Sequence, residues 1–409
     1  MKKIFILTAF IGTTLLAGKG SVYSKYGIGE LNIFSSDRTV GMGNTGVALL
    51  GESFINLENP AGLGNISRTL FTGIYQHQTY QISDAASSLL LNTGNVEGAV
   101  VAFPLYKPAK SVLSLAFVPY SSSGYNLTTN STFGSHTITE TFSGHGGLNA
   151  AQLSLSYEVQ PDIIFGLTSH YFFGARYASQ KVSFNDPNYF GETFDETISM
   201  DGFGFTLGAI ITGVDKMFGL SDSKNFTLGG TFFSGSTLSV EQEQLTRYST
   251  SQDTLNQLNQ TATLPFGFSF GAAMLHNRTI FTADMRFQNW GNYRVNNIHP
   301  AELQNDLRIG AGIEVLPPAE FAETIFDRLS YRAGAYYHIT NLKLKGQSIN
   351  EIFGTAGIGF PASQESRINI GLEYGIRGTT SSGLLKDTIV RLTVGMTISE
   401  LMFIQSEVD

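Results

Sequence analysis

Near its C-terminus the chain alternates between two kinds of side chain with a period of two. In IVRLTVGMTI the residues Val390, Leu392, Val394, Met396 and Ile398 share one face, opposite Arg391, Thr393, Gly395 and Thr397. DLRIGAGIEV repeats the pattern, with Leu307, Ile309, Ala311, Ile313 and Val315 against Asp306, Arg308, Gly310, Gly312 and Glu314. RINIGLEYG sets Ile368, Ile370, Leu372 and Tyr374 against Arg367, Asn369, Gly371 and Glu373. Upstream, Phe203, Phe205 and Leu207 alternate with Gly202, Gly204 and Thr206, and Phe266, Phe268 and Phe270 with Gly267, Ser269 and Gly271. Such a period belongs to β-strands with two unlike faces. A soluble sandwich alternates too, but a face of glycine, serine and arginine makes a poor packed core. Apolar residues toward lipid and polar ones toward an enclosed lumen fit the pattern better, and that arrangement is a closed transmembrane barrel.

About fourteen such segments can be marked, near 68–80, 94–105, 111–121, 147–159, 163–179, 199–212, 225–240, 262–275, 279–290, 306–316, 328–340, 352–361, 366–377 and 386–399. Single-chain bacterial barrels have an even number of strands, with short periplasmic turns and longer outer loops. YKPAK, QPD, HNR and ASQES read as the turns. LTTNSTFGSHTITETFSGHG and EQEQLTRYSTSQDTLNQLNQTA read as outer loops. Two connections, 213–224 and 317–327, are longer than a periplasmic turn needs, and PPAEFAETIFD in the second could form a short helix.

The rest of the chain agrees with an exported membrane protein. Met1-Lys2-Lys3 precedes about fifteen mostly apolar residues, the form of a secretory signal peptide, and that run is too short for a helical span. Residues 1–24 are assigned to it, with a cleavage point open between 18 and 24. Only 14% of residues are charged, against about a quarter in soluble domains. There is no cysteine, so neither disulfides nor a lipid anchor on cysteine can hold the protein. A net charge of −8 argues against nucleic acid. The expected location is the bacterial outer membrane, in contact with its lipid.

Ahead of the first strand lies VGMGNTGVALLGESFINLENPAGL, residues 40–63, with the G-x-G-x-x-G spacing of a dinucleotide loop at Gly41, Gly43 and Gly46. That reading needs a preceding strand, a following helix and an acidic residue about 20 positions on. None of the three is convincing here, since NIFSSDRTV precedes Gly41 and a glycine- and proline-broken stretch follows, and export removes the chain from the dinucleotide pool, so no cofactor is expected. A compact, small-residue-rich segment of this size can instead fold back to plug a lumen. The domains then read 25–66 as plug, 67–400 as barrel and 401–409 as a short periplasmic tail.

These residues resemble the FadL family of outer-membrane transporters for hydrophobic compounds. Gly41-Met42-Gly43, Gly46-Val47-Ala48 and Asn59-Pro60-Ala61-Gly62-Leu63 are similar to that family's N-terminal hatch. TLPFGFSFGAA (Thr263 to Ala273) resembles its L-P strand. FTADMRFQNWGNYR resembles its D-x-x-x-x-x-W segment at Asp284 and Trp290. The likeness covers the hatch and the last third of the barrel, and 127–260 is barely matched. It implies fourteen strands plugged by the N-terminal segment, passive uptake of ligands such as long-chain fatty acids or aromatic hydrocarbons, and lateral release through a kink in the third strand. Pro119 and Gly124 are the candidates for that opening, since proline lacks the donor a ladder needs; Pro119 can equally mark the strand's outer end. Asn59, Pro60, Ala61 and Gly62 are the candidate gate, or a static plug turn.

By strand phase, Trp290 and Tyr336 face the lumen toward its outer end, with Arg286, Arg308 and Arg332 deeper. An aromatic shelf above basic groups would suit a fatty acid, tail on the rings and carboxylate on arginine. The other reading pairs those arginines with Asp284, Asp306, Glu314 and Glu373 in an internal lattice that stiffens the barrel. The seven histidines show no metal-ligand spacing, and no G-x-S-x-G elbow occurs, so neither a metal nor an enzyme is expected. Three functions remain: passive uptake of a hydrophobic small molecule, a structural or docking subunit of a cell-envelope or secretion complex, and a general porin. A plugged lumen disfavours the third.

Overall fold

The computed structural model describes residues 20–32, 35–134, 136–186, 188–219, 225–248, 252–318, 324–363 and 366–400. Of the expected signal peptide, 1–24, residues 1–19 lie outside them, and so does the tail 401–409. Fourteen antiparallel strands close on themselves: β1 (Thr69–Ser83), β2 (Ser88–Tyr106), β3 (Ser111–Pro119 resuming as Ser121–Phe133), β4 (His136–Gln160), β5 (Ile163–Phe184), β6 (Glu192–Ile211), β7 (Phe226–Tyr248), β8 (Gln252–Leu264 resuming as Gly267–His276), β9 (Thr279–Gln288), β10 (Asp306–Val315), β11 (Ser330–Leu344), β12 (Gln347–Pro361), β13 (Arg367–Gly378) and β14 (Lys386–Glu400). Each pairs with its neighbour in sequence. The sheet closes where β14 meets β1, in register from Lys386↔Ser83 to Glu400↔Thr69.

The alternation sorts as the lipid-versus-lumen reading requires. Phe165, Leu167, Phe203, Leu207, Phe270, Leu372 and Leu392 are exposed on the outer wall, whereas Thr168, Gln152, Arg308, Glu314, Glu373 and Thr393 are buried inside. Closure of the sheet, β14 onto β1, lets the strands satisfy one another's backbone groups where no water can.

Two strands are broken. In β3 both halves pair with β4, from Pro119↔Asn149 and from Ser123↔Gly146. Between them the Tyr120 amide donates to Leu148 O at 2.8 Å. Proline ends a ladder, but here the strand resumes two residues later, so Pro119 lies at an internal bend and not where a loop begins. Along β2 only Ala99–Tyr106 pair with β3; the outer half pairs with β1 alone among the described residues. The barrel wall is therefore seamed beside the bend. β8 breaks in the same way at Pro265–Phe266, with both halves on β7.

At one end, which the short turns mark as periplasmic, lie Lys107–Ala109 and the Asn277 turn. The helix Val214–Met217 sits in the first long connection. In the second, Phe326–Arg328 form a 3-10 turn and 319–323 lie outside the described residues. The opposite end corrects the sequence reading. The segments read as outer loops, 127–146 and 241–262, are strand hairpins. β4 is 25 residues long, β5 22, β6 20 and β7 23, where a crossing takes about 9–11. Beyond the lipid both faces of a strand meet water, so the apolar alternation vanishes while the ladder continues. Thr- and Gln-rich stretches then carry no period to read.

Candidate functional site: a filled lumen

Residues 36–66 cross the inside of the barrel with their backbone against the wall. The space for this comes from inward-facing glycines. On eight strands, β5 to β8, β10, β11, β13 and β14, an inward glycine meets this segment so closely that a Cβ would collide with it. At Gly371 the added atom would lie 2.7 Å from Val40 Cγ1, and at Gly310 2.8 Å from Gly43 O. At Gly208 it would overlap Asn59 Oδ1, at Gly229 Val47 O, and at Gly312 Met42 O. Glycine within a strand marks such close approach of another backbone. The motif glycines answer from the other side: a Cβ on Gly41 would stand 2.8 Å from Gly357 Cα, and Gly43, with φ +65°, presses on Ala311 O and Ala335 O. Their spacing serves contact with the wall.

Polar groups then fix the segment. Asp284 accepts from the Gly46 and Val47 amides at 2.6 and 2.9 Å, and Thr355 Oγ1 from the Gly43 amide at 2.8 Å. Arg308 donates to Gly43 O at 3.1 Å. Asn44 donates to Glu373 and Asn369 to Asp37, both at 2.8 Å. Arg38 from the segment and Arg332 from β11 share Glu314, at 2.9 and 2.8 Å through their Nε atoms. In the Asn59-Pro60-Ala61-Gly62 element, Asn59 caps the turn Pro60–Asn65 by accepting from the Ala61 amide, while its Nδ2 donates to Val47 O and to Ala209 O on β6. Proline at the first position of the turn has no amide to leave unpaired.

Nearer the outer end the lumen carries a second charged lattice. Arg377 contacts Glu30 at 2.6 Å and Glu351 at 2.5 Å. His338 lies between Asp306 at 2.8 Å and Glu351 at 3.0 Å, so both ring nitrogens face carboxylate oxygens, an arrangement the doubly protonated ring satisfies. Arg391 stacks over Phe353 at 4.7 Å and donates to Tyr336 Oη at 3.1 Å. Tyr336 in turn carries Arg308 on its ring at 4.0 Å. Sequence reasoning did not single out Glu30, Glu351, His338, Arg377 or Arg391 as site residues. The four on strands share the inward phase of Arg308 and Glu314, and that phase was the signal that could have found them.

The structure separates the residues of the expected aromatic shelf. Trp290 is fully buried on the turn Trp290–Asn292, 5.3 Å from Tyr293, in an apolar cluster with Tyr120 and Phe172. Tyr336 packs elsewhere, on Phe353. Arg286 faces Arg308 across the β9–β10 pair and lines a cavity of about 50 Å³ with Leu57, Glu58, His170 and Phe233. A larger cavity of about 100 Å³ lies among Glu30, Tyr336, His338, Glu351, Arg377 and Arg391. Pockets for ligands of ordinary size run to roughly 300–1,000 Å³. Pro119 O accepts from Asn32 Nδ2 at 3.2 Å, and Gly124 bonds Ser24, so residues 20–32 lie along the seam.

The fold is that of the FadL-type channels. Solved structures confirm the fold: a Pseudomonas aeruginosa FadL homologue (12% identity, 90% of this chain and 98% of that one, TM-score 0.59), the Ralstonia pickettii toluene transporter TbuX (13%, 90% and 99%, 0.57) and the Pseudomonas putida toluene transporter TodX (12%, 89% and 98%, 0.58). No curated protein matches the chain in sequence. The family model BamG matches residues 1–409, and the chain belongs to the BamG family.

Proposed function

We propose that this protein is a non-transporting barrel, a docking subunit of a cell-envelope complex that keeps the FadL-type fold as a scaffold in the outer membrane. The single observation that carries the reading is the way the lumen is filled. Among the described residues, a plug seated in a belt of glycines and tied to the wall by buried ion pairs has beside it inner cavities of only about 100, 50 and 20 Å³. Ligand cavities run to roughly 300–1,000 Å³, so passage of a long-chain fatty acid would require breaking charged contacts in a low-dielectric interior. Membership of the BamG family supports the reading as a subunit of an envelope complex.

The second reading, passive uptake of hydrophobic molecules, has its own support in the seam beside Pro119 and in the hydrocarbon channels that share the fold. The two are separated by reconstituting the purified full-length chain in liposomes with a labelled long-chain fatty acid and, in parallel, sizing the chain gently extracted from its own outer membrane. Docking predicts no flux above that of empty liposomes and a discrete assembly with other envelope proteins at fixed stoichiometry. Saturable flux from a lone barrel would reverse the conclusion.

A further inference from the structure

Strands β3 to β8 rise beyond the lipid band as a wall, and the outer half of β3 forms one vertical edge of it. On one side Ser123–Phe133 pair with β4 without a register shift, from Ser123↔Gly146 to Phe133↔His136. On the other side only Ser121 and Ser122 have strand partners among the described residues, Leu31 and Glu30. The direction of the backbone groups is fixed by Ser24: the Gly124 amide donates to Ser24 Oγ at 3.0 Å, and Ser24 Oγ donates to Gly124 O at 3.2 Å. Gly124 thus turns both groups away from β4. Because the ladder repeats every two residues, Asn126, Thr128, Asn130 and Thr132 turn theirs to the same open side. Natural edges are guarded by lysine, proline, inward charges or bulges. Ser121–Phe133 contains neither a proline nor a charged residue.

We propose that this edge, from Asn126 to Thr132, is a strand-addition site that takes an extended, uncharged segment of another protein at the cell surface. The proposal names a surface for the docking reading and rests on it. Donor–acceptor pairs repeating at roughly 6.8 Å match an extended polypeptide; a sugar or small ligand has no such repeat. A second copy is a poor guest, because β3 runs outward in both copies in one membrane. Their edges could meet only in parallel, the slanted and weaker ladder. An antiparallel guest descends toward the membrane and so comes from a different chain.

Hydrogen exchange tests this on the full-length protein, resolved over 124–133, in native outer-membrane vesicles and after purification in detergent. In vesicles the edge amides should exchange about tenfold more slowly than in the purified chain. The variant Thr128→Pro removes one edge-facing amide and leaves the β3–β4 donors in place, since proline is tolerated on an open edge. It should abolish the protection while the barrel still shows heat-modifiable migration; Asn130→Pro should do the same. Equal exchange in both preparations overturns the proposal, as does protection that survives Thr128→Pro or that grows with concentration of the purified chain. If the proline variants still assemble with every partner of the native chain, the edge is wrong and docking stands. If the native chain is found alone, docking itself has failed.

Discussion

At the scale of single residues, an inward glycine on a barrel strand can leave room for water or for another backbone, and here it is the second. The enclosed glycines were read as evidence against a packed core; they are where the core, a folded-back chain segment, packs. Gly208 shows the cost most directly, because its missing side chain is replaced by the Asn59-Pro60 turn. Gly208→Val should lower the unfolding temperature of the barrel by an amount corresponding to about 1–3 kcal/mol of overpacking, whereas Gly73→Ala, with nothing within 4 Å of the new atom, should leave it unchanged. A thermal melt followed by tryptophan fluorescence is suited to this, since Trp290 is the single tryptophan and is buried. The ion pairs make a second prediction of known sign. Glu314 is 1% exposed and holds both Arg38 and Arg332. Removing it as Glu314→Ala strands two buried guanidinium groups and should destabilise by about 3–5 kcal/mol. Replacing Arg38, Glu314 and Arg332 together with leucine should cost much less, and equal losses for the two variants would contradict the lattice.

At the scale of elements, what the sequence made legible follows the environment of each strand. From β10 to β14 one face meets lipid and the other the lumen throughout, so alternation located all five. The hairpins at 127–146 and 241–262 were read as loops because both of their faces are wet and polar, and backbone pairing leaves no mark on composition. The lumen residues were partly legible: phase placed Arg308, Arg332 and Tyr336 inward, but which acid each would meet depends on strand shear and on the plug, neither of which is written locally. The bend in β3 lies between these cases. Proline announced a break, yet whether the strand resumed was decided by β4, where Gly146 and Gly147 adopt φ values of +98° and +147°. A Cβ on Gly147 would overlap Ser121 O. Gly147→Val should therefore unseat the outer half of β3 without unfolding the barrel, and protease cleavage within 121–146 on intact cells should rise several-fold. Unchanged cleavage would mean that the bend does not depend on this glycine.

At the scale of the whole molecule, the number of strands and the filling of the lumen make opposite demands. Fourteen strands enclose more space than their own side chains can fill, so without the plug the barrel would hold an aqueous channel lined by Arg308, Glu314, Arg332, Glu351, Glu373, Arg377 and Arg391. With it, the same charges are consumed in holding the chain. A docking subunit gains from this arrangement, since a rigid and sealed wall keeps its outer edges in fixed positions without breaching the permeability barrier. Single-channel recording can measure the difference. The full-length chain in a planar bilayer should be silent, and a variant lacking residues 36–66 should show stable conductance steps, because loss of the segment frees the glycine belt and the charged wall together. The order of salts should then follow the lining, with conductance dependent on ionic strength as charged walls are screened. Steps of the same size from the full-length chain would show that the plug leaves a through-path, and the scaffold reading would yield to transport.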